Sequence, residues 1–304
     1  MNNILQVKNV TKYFGDYKAS NDITFNVREG IIFGLLGPNG AGKTTMIRMI
    51  NNIYYPDSGE ILIFNEKLNS NHLSKMAYLP EERGLYKKVK VIDQLVYFGR
   101  LKGMSNKDAT NKAKEWLIRL DASEWLNKKV QELSKGMQQK VQFIATILHD
   151  PKFIILDEPF SGFDPINAEL LKNIILEFKS QGKTIILSTH MMEQVEQLCD
   201  EIAMINKGNL VLSGSLKEIK KKYKKNNYII EFEGNSQFIN EIEKLNIISN
   251  DKNRIEFQIK SEFIENLNTK ELIEILNNKT NITKFEIAET SIHEIFINTV
   301  NINK

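Results

Sequence analysis

The stretch Ile31-Ile-Phe-Gly-Leu-Leu-Gly37-Pro-Asn-Gly-Ala-Gly-Lys43-Thr44 decides how the chain is read. The apolar residues 31–36 predict a buried strand, and residues 44–53 predict a helix. Between them Gly37, Pro38, Asn39, Gly40, Ala41, Gly42, Lys43 and Thr44 have the spacing G-x-x-x-x-G-K-[ST]. Glycines let successive backbone N–H groups turn inward around a phosphate, and the helix start adds the positive end of its dipole. Lys43 then reaches the β- and γ-phosphates of a nucleotide, and the Thr44 hydroxyl offers oxygen to Mg²⁺.

Outward from this loop, a second strand supplies the complementary charges. Residues 153–156 are apolar and run into Asp157 and Glu158. In a parallel sheet such acids emerge at the carboxyl end, where ligands bind. Asp157 is placed to hold Mg²⁺ through water, and Glu158 to polarise a water for in-line attack on the γ-phosphate. Residues 184–189 form another apolar strand, ending at His190, with a helical stretch over 167–181 between the two. That βαβ pattern implies parallel neighbours and brings His190 to the same phosphate.

Composition is compatible with this. The 304 residues are 41% hydrophobic and 26% charged, enough for a sizeable core and about two domains. The net charge of +3 gives no reason to expect nucleic acid. A single cysteine, Cys199, excludes an internal disulfide and fits a reducing compartment. No run approaches the roughly 18 apolar residues of a membrane span, and the first ten residues do not read as a signal peptide. At a membrane, a partner would have to hold the chain.

Strands are expected over 4–10, 19–27 and 60–64, and helices through 91–149. Near 216–227 the composition turns polar, and the lysines of 217–225 read as a solvated linker. Beyond it, strands over 228–233, 254–259 and 283–287 and helices over 236–244 and 270–277 predict a small α+β domain. Ser291 and Glu294 have capping-box spacing and start a last helix. His72, His149 and His293 have no metal-ligand spacing. Cys199 is expected to pack in a helix, and Trp116 and Trp125 in a core or an interface.

Taken together, the motifs resemble the nucleotide-binding subunits of ATP-binding cassette (ABC) transporters, over about residues 4 to 215. Leu133-Ser134-Lys135-Gly136-Met137-Gln138 is similar to that family's LSGGQ signature, with Lys135 and Met137 departing from it. Phe14 stands where the family stacks an aromatic on adenine, with Tyr13 beside it as the fallback. Ser161-Gly-Phe-Asp164 resembles the D-loop. Tyr78-Leu-Pro-Glu81 resembles the Q-loop, with Glu81 replacing glutamine as an oxygen ligand for Mg²⁺ or its water. The run over 78–86 and the ending over 291–300 look like the bacterial ABC-2 exporter branch, which includes sodium-efflux and drug- or bacteriocin-resistance systems.

The resemblance implies an α/β P-loop core with antiparallel β and helical subdomains. The ATPase domain would span 1–221, with its helical part at about 90–150, and an accessory domain 222–304. It implies ATP hydrolysis powering export with a membrane-spanning permease subunit, at the cytoplasmic face of the membrane. Two copies, or a heterodimer with a related ATPase, would sandwich two ATP molecules. Each would lie between residues 37–45, Thr45 included, of one copy and Ser134 and Gly136 of the other. A groove between the Glu81 region and the helical subdomain would receive a helix of the permease. Two alternatives are a soluble ABC ATPase acting on ribosomes or nucleic acid, and a regulatory module that closes on ATP without turnover.

Overall fold

The computed structural model describes residues 2–82, 84–223, 227–263, 267, 269–288 and 290–302. Two compact units divide it: Met1–Leu216 with Thr299–Lys304, and Lys217–Asn298.

The first unit opens with a hairpin, β1 (Asn3–Phe14) and β2 (Tyr17–Arg28). β3 (Ile32–Leu36) runs through the glycine turn into α1 (Lys43–Ile50). Next come β4 (Ser58–Ile63), β5 (Glu66–Lys67) and β6 (Met76–Leu79), followed by α2 (Val91–Leu101), α3 (Asn106–Arg119) and α4 (Lys135–Ile147). β7 (Phe153–Asp157), α5 (Pro165–Ser180), β8 (Thr184–Thr189), α6 (Met192–Leu198), β9 (Glu201–Asn206) and β10 (Asn209–Ser215) complete it.

These strands make an antiparallel sheet, β2-β1-β4-β5, and a six-stranded sheet, β10-β9-β3-β8-β7-β6. In the larger sheet all neighbours are parallel except the edge pair β9–β10. Every residue of β3, β7 and β8 is buried, as strands covered on both faces must be. Phe25 stacks on Phe33 with ring centroids 5.4 Å apart, and Met46, Ile47 and Ile50 of α1 share the core between the two sheets. Asp164 caps α5 by accepting from the Asn167 N–H at 3.0 Å, and Pro165 begins it without losing a bond.

The helical expectation for 91–149 holds, with short 3₁₀ turns between the helices. Gly99 of α2 lets α3 approach closely: a Cβ there would lie 3.0 Å from that of Ala109. Trp116 is buried edge-on to Phe178, and Trp125 is half-buried. Cys199 falls just beyond α6 instead of within it, buried beside Gly34.

After β10, α7 (Leu216–Lys222) precedes β11 (Asn227–Glu233), β12 (Leu245–Asp251), β13 (Arg254–Ile259), α8 (Thr269–Asn277), β14 (Asn281–Ala288) and α9 (Ile292–Ile302), and all of these but Leu216 and the end of α9 from Thr299 fall in the second unit. The sheet order is β12-β13-β11-β14, wholly antiparallel. Ser291 Oγ accepts from the Glu294 N–H at 3.1 Å, as a helix-starting cap.

Two expectations are corrected here. Residues 217–222 are helical, not linker: Leu216 and Ile219, one turn apart, are buried and leave the lysines outside. Lys224 and Lys225 of that run lie outside the described residues, as does Arg83. Over 236–244 only a 3₁₀ segment forms, Ser236–Glu241, begun by Asn235, whose side chain accepts from the Gln237 N–H. Phe238, Ile239 and Ile242 dock onto the sheet, and β12 starts too soon for an α-helix to extend.

His149 donates Nε2–H to the Met76 carbonyl at 3.0 Å, and burial pushes its pKa down to about 4 from 6.5. In the unfolded chain it takes up a proton at higher pH than in the fold, so stability falls as pH drops through that interval. Melting temperatures at about pH 7 and about pH 5 should differ more for the native chain than for a His149→Gln chain. An equal difference would exclude His149 as a source of the acid sensitivity.

Candidate nucleotide site

Because β3, β7 and β8 run parallel, the loop after β3, the acids after β7 and the histidine after β8 leave the sheet at one edge. The loop geometry demands its glycines. Gly37 has φ of 149°, and a Cβ would sit 2.1 Å from the Ile205 carbonyl oxygen. Gly42 has φ of 111°, and a Cβ would sit 2.4 Å from that of Ala19. α1 starts without a side-chain cap, so its first N–H groups are left for a ligand. The resulting cleft holds about 330 Å³, and residues 39–45, Tyr17, Glu81, Asp157 and Glu158 line it.

Lys43 is 6% exposed and donates Nζ–H to the carbonyls of Gly37 (2.7 Å) and Pro38 (3.2 Å). Burial lowers its pKa, while the charges of Glu158, Asp157 and Glu81 oppose that shift. Thr44 Oγ1 donates to Asp157 Oδ2 at 3.4 Å. Burial raises the Asp157 pKa, and the neighbouring carboxylates of Glu158 and Glu81 push the same way. One ammonium therefore shares the cleft with three carboxylates: Lys43 and the loop N–H groups suit a phosphate chain, and the Thr44 and Asp157 oxygens suit a hard divalent cation bound to it.

Glu158 adopts φ of 49°, a left-handed conformation that costs energy in a non-glycine residue. Its N–H donates to the Ser188 carbonyl at 2.9 Å, while its carboxylate turns towards the end of β8. There Oε1 accepts from the His190 N–H (3.0 Å) and ring Nδ1–H (2.7 Å), and Oε2 from Thr189 Oγ1 (3.2 Å). An ionised carboxylate only accepts, so Nδ1 carries the proton and Nε2 is left for another partner. The His190 side chain is 55% exposed at the cleft edge. Thr189, fully buried, is a positioning residue that the sequence reading did not single out.

Other sequence-chosen residues lie outside this cleft. Phe14 is exposed, edge-on to Tyr54, and Tyr13 sits under Lys18. Tyr17 reaches the cleft instead, donating its hydroxyl to the Gly40 carbonyl at 3.3 Å. It pairs with Phe14 across the β1–β2 turn, a juxtaposition legible from the Gly15-Asp16 hairpin. Asp164 is engaged as a helix cap, and hydrogen bonds from the Asn167 backbone and side chain hold its pKa down. Ser134 caps α4 by accepting from the Met137 N–H at 3.3 Å. A Cβ at Gly136 would make only ordinary contact, 3.7 Å from the Gly162 carbonyl, so the fold alone does not require glycine there.

A second hollow, of about 280 Å³, lies between β6 and the helices. Tyr78, Pro80, Leu85, Phe98, Leu101 and Lys102 are among its walls. Tyr78 walls this groove, and burial first, with the Asp157 charge, pushes its pKa up to about 12, while the Arg48 charge opposes the shift. Arg48 itself donates to the Tyr54 hydroxyl at 3.3 Å.

Residues 20–161 match the ABC transporter family, and residues 214–300 match the C-terminal domain of DrrA1-3-like ATP-binding proteins. Over 98% of both chains the protein is 44% identical to the ABC transporter ATP-binding protein YhaQ of Bacillus subtilis (strain 168). It is 35% identical to Nod factor export ATP-binding protein I of Burkholderia lata, covering 69% of this chain and 70% of that one. A solved ATP-binding subunit of an ABC transporter is 30% identical with a TM-score of 0.68, over 72% of this chain and 93% of that one.

The loop strain yields a direct prediction. Gly37→Ala should fold with the parallel sheet perturbed at Ile205 and lose most nucleotide affinity, read by titration with a fluorescent ATP analogue. Retained affinity would show that the loop tolerates a side chain there.

Proposed function

This chain belongs to the ATP-binding subunits of ABC transporters, and we propose that its turnover drives export through a separate membrane-spanning permease. It binds and hydrolyses ATP. The observation that carries the residue assignments is the convergence of the phosphate loop, Asp157, Glu158 and His190 at one sheet edge. Support for a separate permease comes from the helices: among the described residues none is long and apolar enough to cross a membrane. A relative named for Nod factor export supports the outward direction.

In this reading Lys43 exchanges its loop carbonyls for β- and γ-phosphate oxygens. The loop N–H groups and the α1 terminus bind the remaining phosphate charge. Phe14 stacks on adenine, with Tyr17 beside the loop. Thr44, Asp157 and Glu81 present the oxygen donors that would hold Mg²⁺, which when bound offsets the charge of the triphosphate. Glu158, turned by its backbone and steadied by Thr189, orients the attacking water, and His190 offers Nε2 to the γ-phosphate. Ser134 and Gly136, outside their own cleft, complete that of a second copy, with Asp164 near the same junction. The groove walled by Tyr78 and Phe98 takes a helix of the permease, which places the chain at the cytoplasmic face of the membrane.

Lys43→Ala should weaken ATP binding by about tenfold or more, since hydrogen bonds to charged groups are worth about 1.5–3 kcal/mol. Glu158→Gln should keep ATP affinity and lose about 10²–10⁴-fold in turnover, the usual yield of general base catalysis. It should also elute as an ATP-dependent dimer. Wild-type turnover in Glu158→Gln would remove Glu158 from the base role. Affinity purification of the chain in mild detergent should recover a multi-span protein in stoichiometric amount; ribosomes or nucleic acid in its place would overturn the transport reading.

A further inference from the structure

Two short segments of the first unit meet at a single antiparallel bridge, Lys90 opposite Lys129. Around it the Val130 N–H donates to the Val89 carbonyl (3.1 Å), Gln131 to Lys87 (2.9 Å) and Val91 to Lys128 (3.0 Å). Val91 and Val130 are buried beneath, which fixes the pairing. The backbone thus gathers Lys87, Lys88, Lys90, Lys128 and Lys129, all exposed. Among the described residues none of these five side chains has an ion-pair partner. The acids closest along the chain are Asp93, in the first turn of α2, and Glu132, which has one oxygen on the Lys129 backbone N–H.

Like charges directly opposite in an antiparallel pair destabilise it. Here that repulsion is held on the surface by the apolar residues below, and an anionic partner would relieve it. The patch continues into an aromatic cluster. Tyr86, adjoining Lys87, is 54% exposed and 6.1 Å from Tyr97. It also stacks on Phe98, a wall of the groove, with ring planes 14° apart. Tyr86, Tyr97 and Phe98 pack on one another as a cluster, not as the row of separate rings on which successive bases of a single strand stack. Exposed tyrosines beside lysines suit the headgroup layer of a membrane.

We propose that Lys87, Lys88, Lys90, Lys128 and Lys129, with Tyr86 and Tyr97, form a contact for anionic phospholipid headgroups beside the groove. This rests on the peripheral-membrane reading above and adds a second attachment, independent of the permease. Each lysine at an anionic surface contributes about fivefold in binding, so removing three should weaken it about a hundredfold.

Flotation of the purified full chain tests this, with vesicles of phosphatidylcholine alone or with about one third phosphatidylglycerol. Binding should require the anionic lipid in about 0.1 M salt and disappear in about 1 M salt, where the Debye length is about 3 Å. The triple variant Lys88→Gln, Lys90→Gln, Lys129→Gln should lose binding and keep its basal ATPase rate. A control triple on α3, Lys107→Gln, Lys112→Gln, Lys114→Gln, should bind as the native chain does. Equal flotation of the patch variant and the native chain, equal loss in the control, or no preference for anionic lipid would each overturn the proposal. Tighter salt-sensitive binding of the native chain to single-stranded RNA than to the vesicles would also overturn it. If the native chain co-purifies with a permease yet ignores anionic vesicles, the lipid contact falls and the transport reading stands.

Discussion

Parallel strands end on the same side, and the site is a consequence of that one constraint. β3, β8 and β7 are consecutive neighbours in register, from Ile32 opposite Ile185 to Asp157 opposite Ser188. Their burial on both faces leaves no freedom to slip, because any shift would misplace a full set of apolar side chains. The charged residues that follow each strand are therefore delivered to one edge by packing forces that have nothing to do with charge. The sheet supplies the precision and the loops supply the chemistry.

That edge carries an electrostatic tension that a nucleotide changes in character. Lys43 is satisfied by two carbonyls of its own loop, and Glu158 by three donors from the end of β8. The Glu158 frame exists before the ligand arrives, which lowers reorganisation at that carboxylate, whereas Lys43 trades its carbonyls for the ligand. The left-handed backbone at Glu158 belongs to the same arrangement. With it the carboxylate reaches the end of β8, where the side chain of an extended residue would stand on one face of the sheet.

Much of this was legible in the sequence because it depends on local patterns. The glycine spacing at 37–42, the apolar run into Asp157 and Glu158, and the βαβ alternation all report nearest-neighbour physics. What was not legible depends on contacts distant in the chain. Tyr17 enters the cleft only because its hydroxyl reaches the Gly40 carbonyl, 23 residues on, and Thr189 matters only because Glu158 lies against it. The polar stretch after Leu216 concealed a helix because two buried residues in one stripe outweigh its lysines. At 236–244 the helical spacing was real, but a strand beginning at Leu245 left no length to propagate it.

The strand order also fixes when the protein can finish folding on the ribosome. β3 pairs only with β8 and β9, and Ile32 lies opposite Ile185, about 150 residues later. At synthesis rates of about 5–20 residues per second, β3 waits roughly 10–30 seconds for its first partner. During that time its apolar faces have no paired strand beside them, only the packing of earlier segments such as the β1–β2 hairpin, α1 and β4. The helical region, rich in short-range contacts, is complete before the central sheet can close. The nucleotide loop is thus among the first segments made and among the last to acquire its shape.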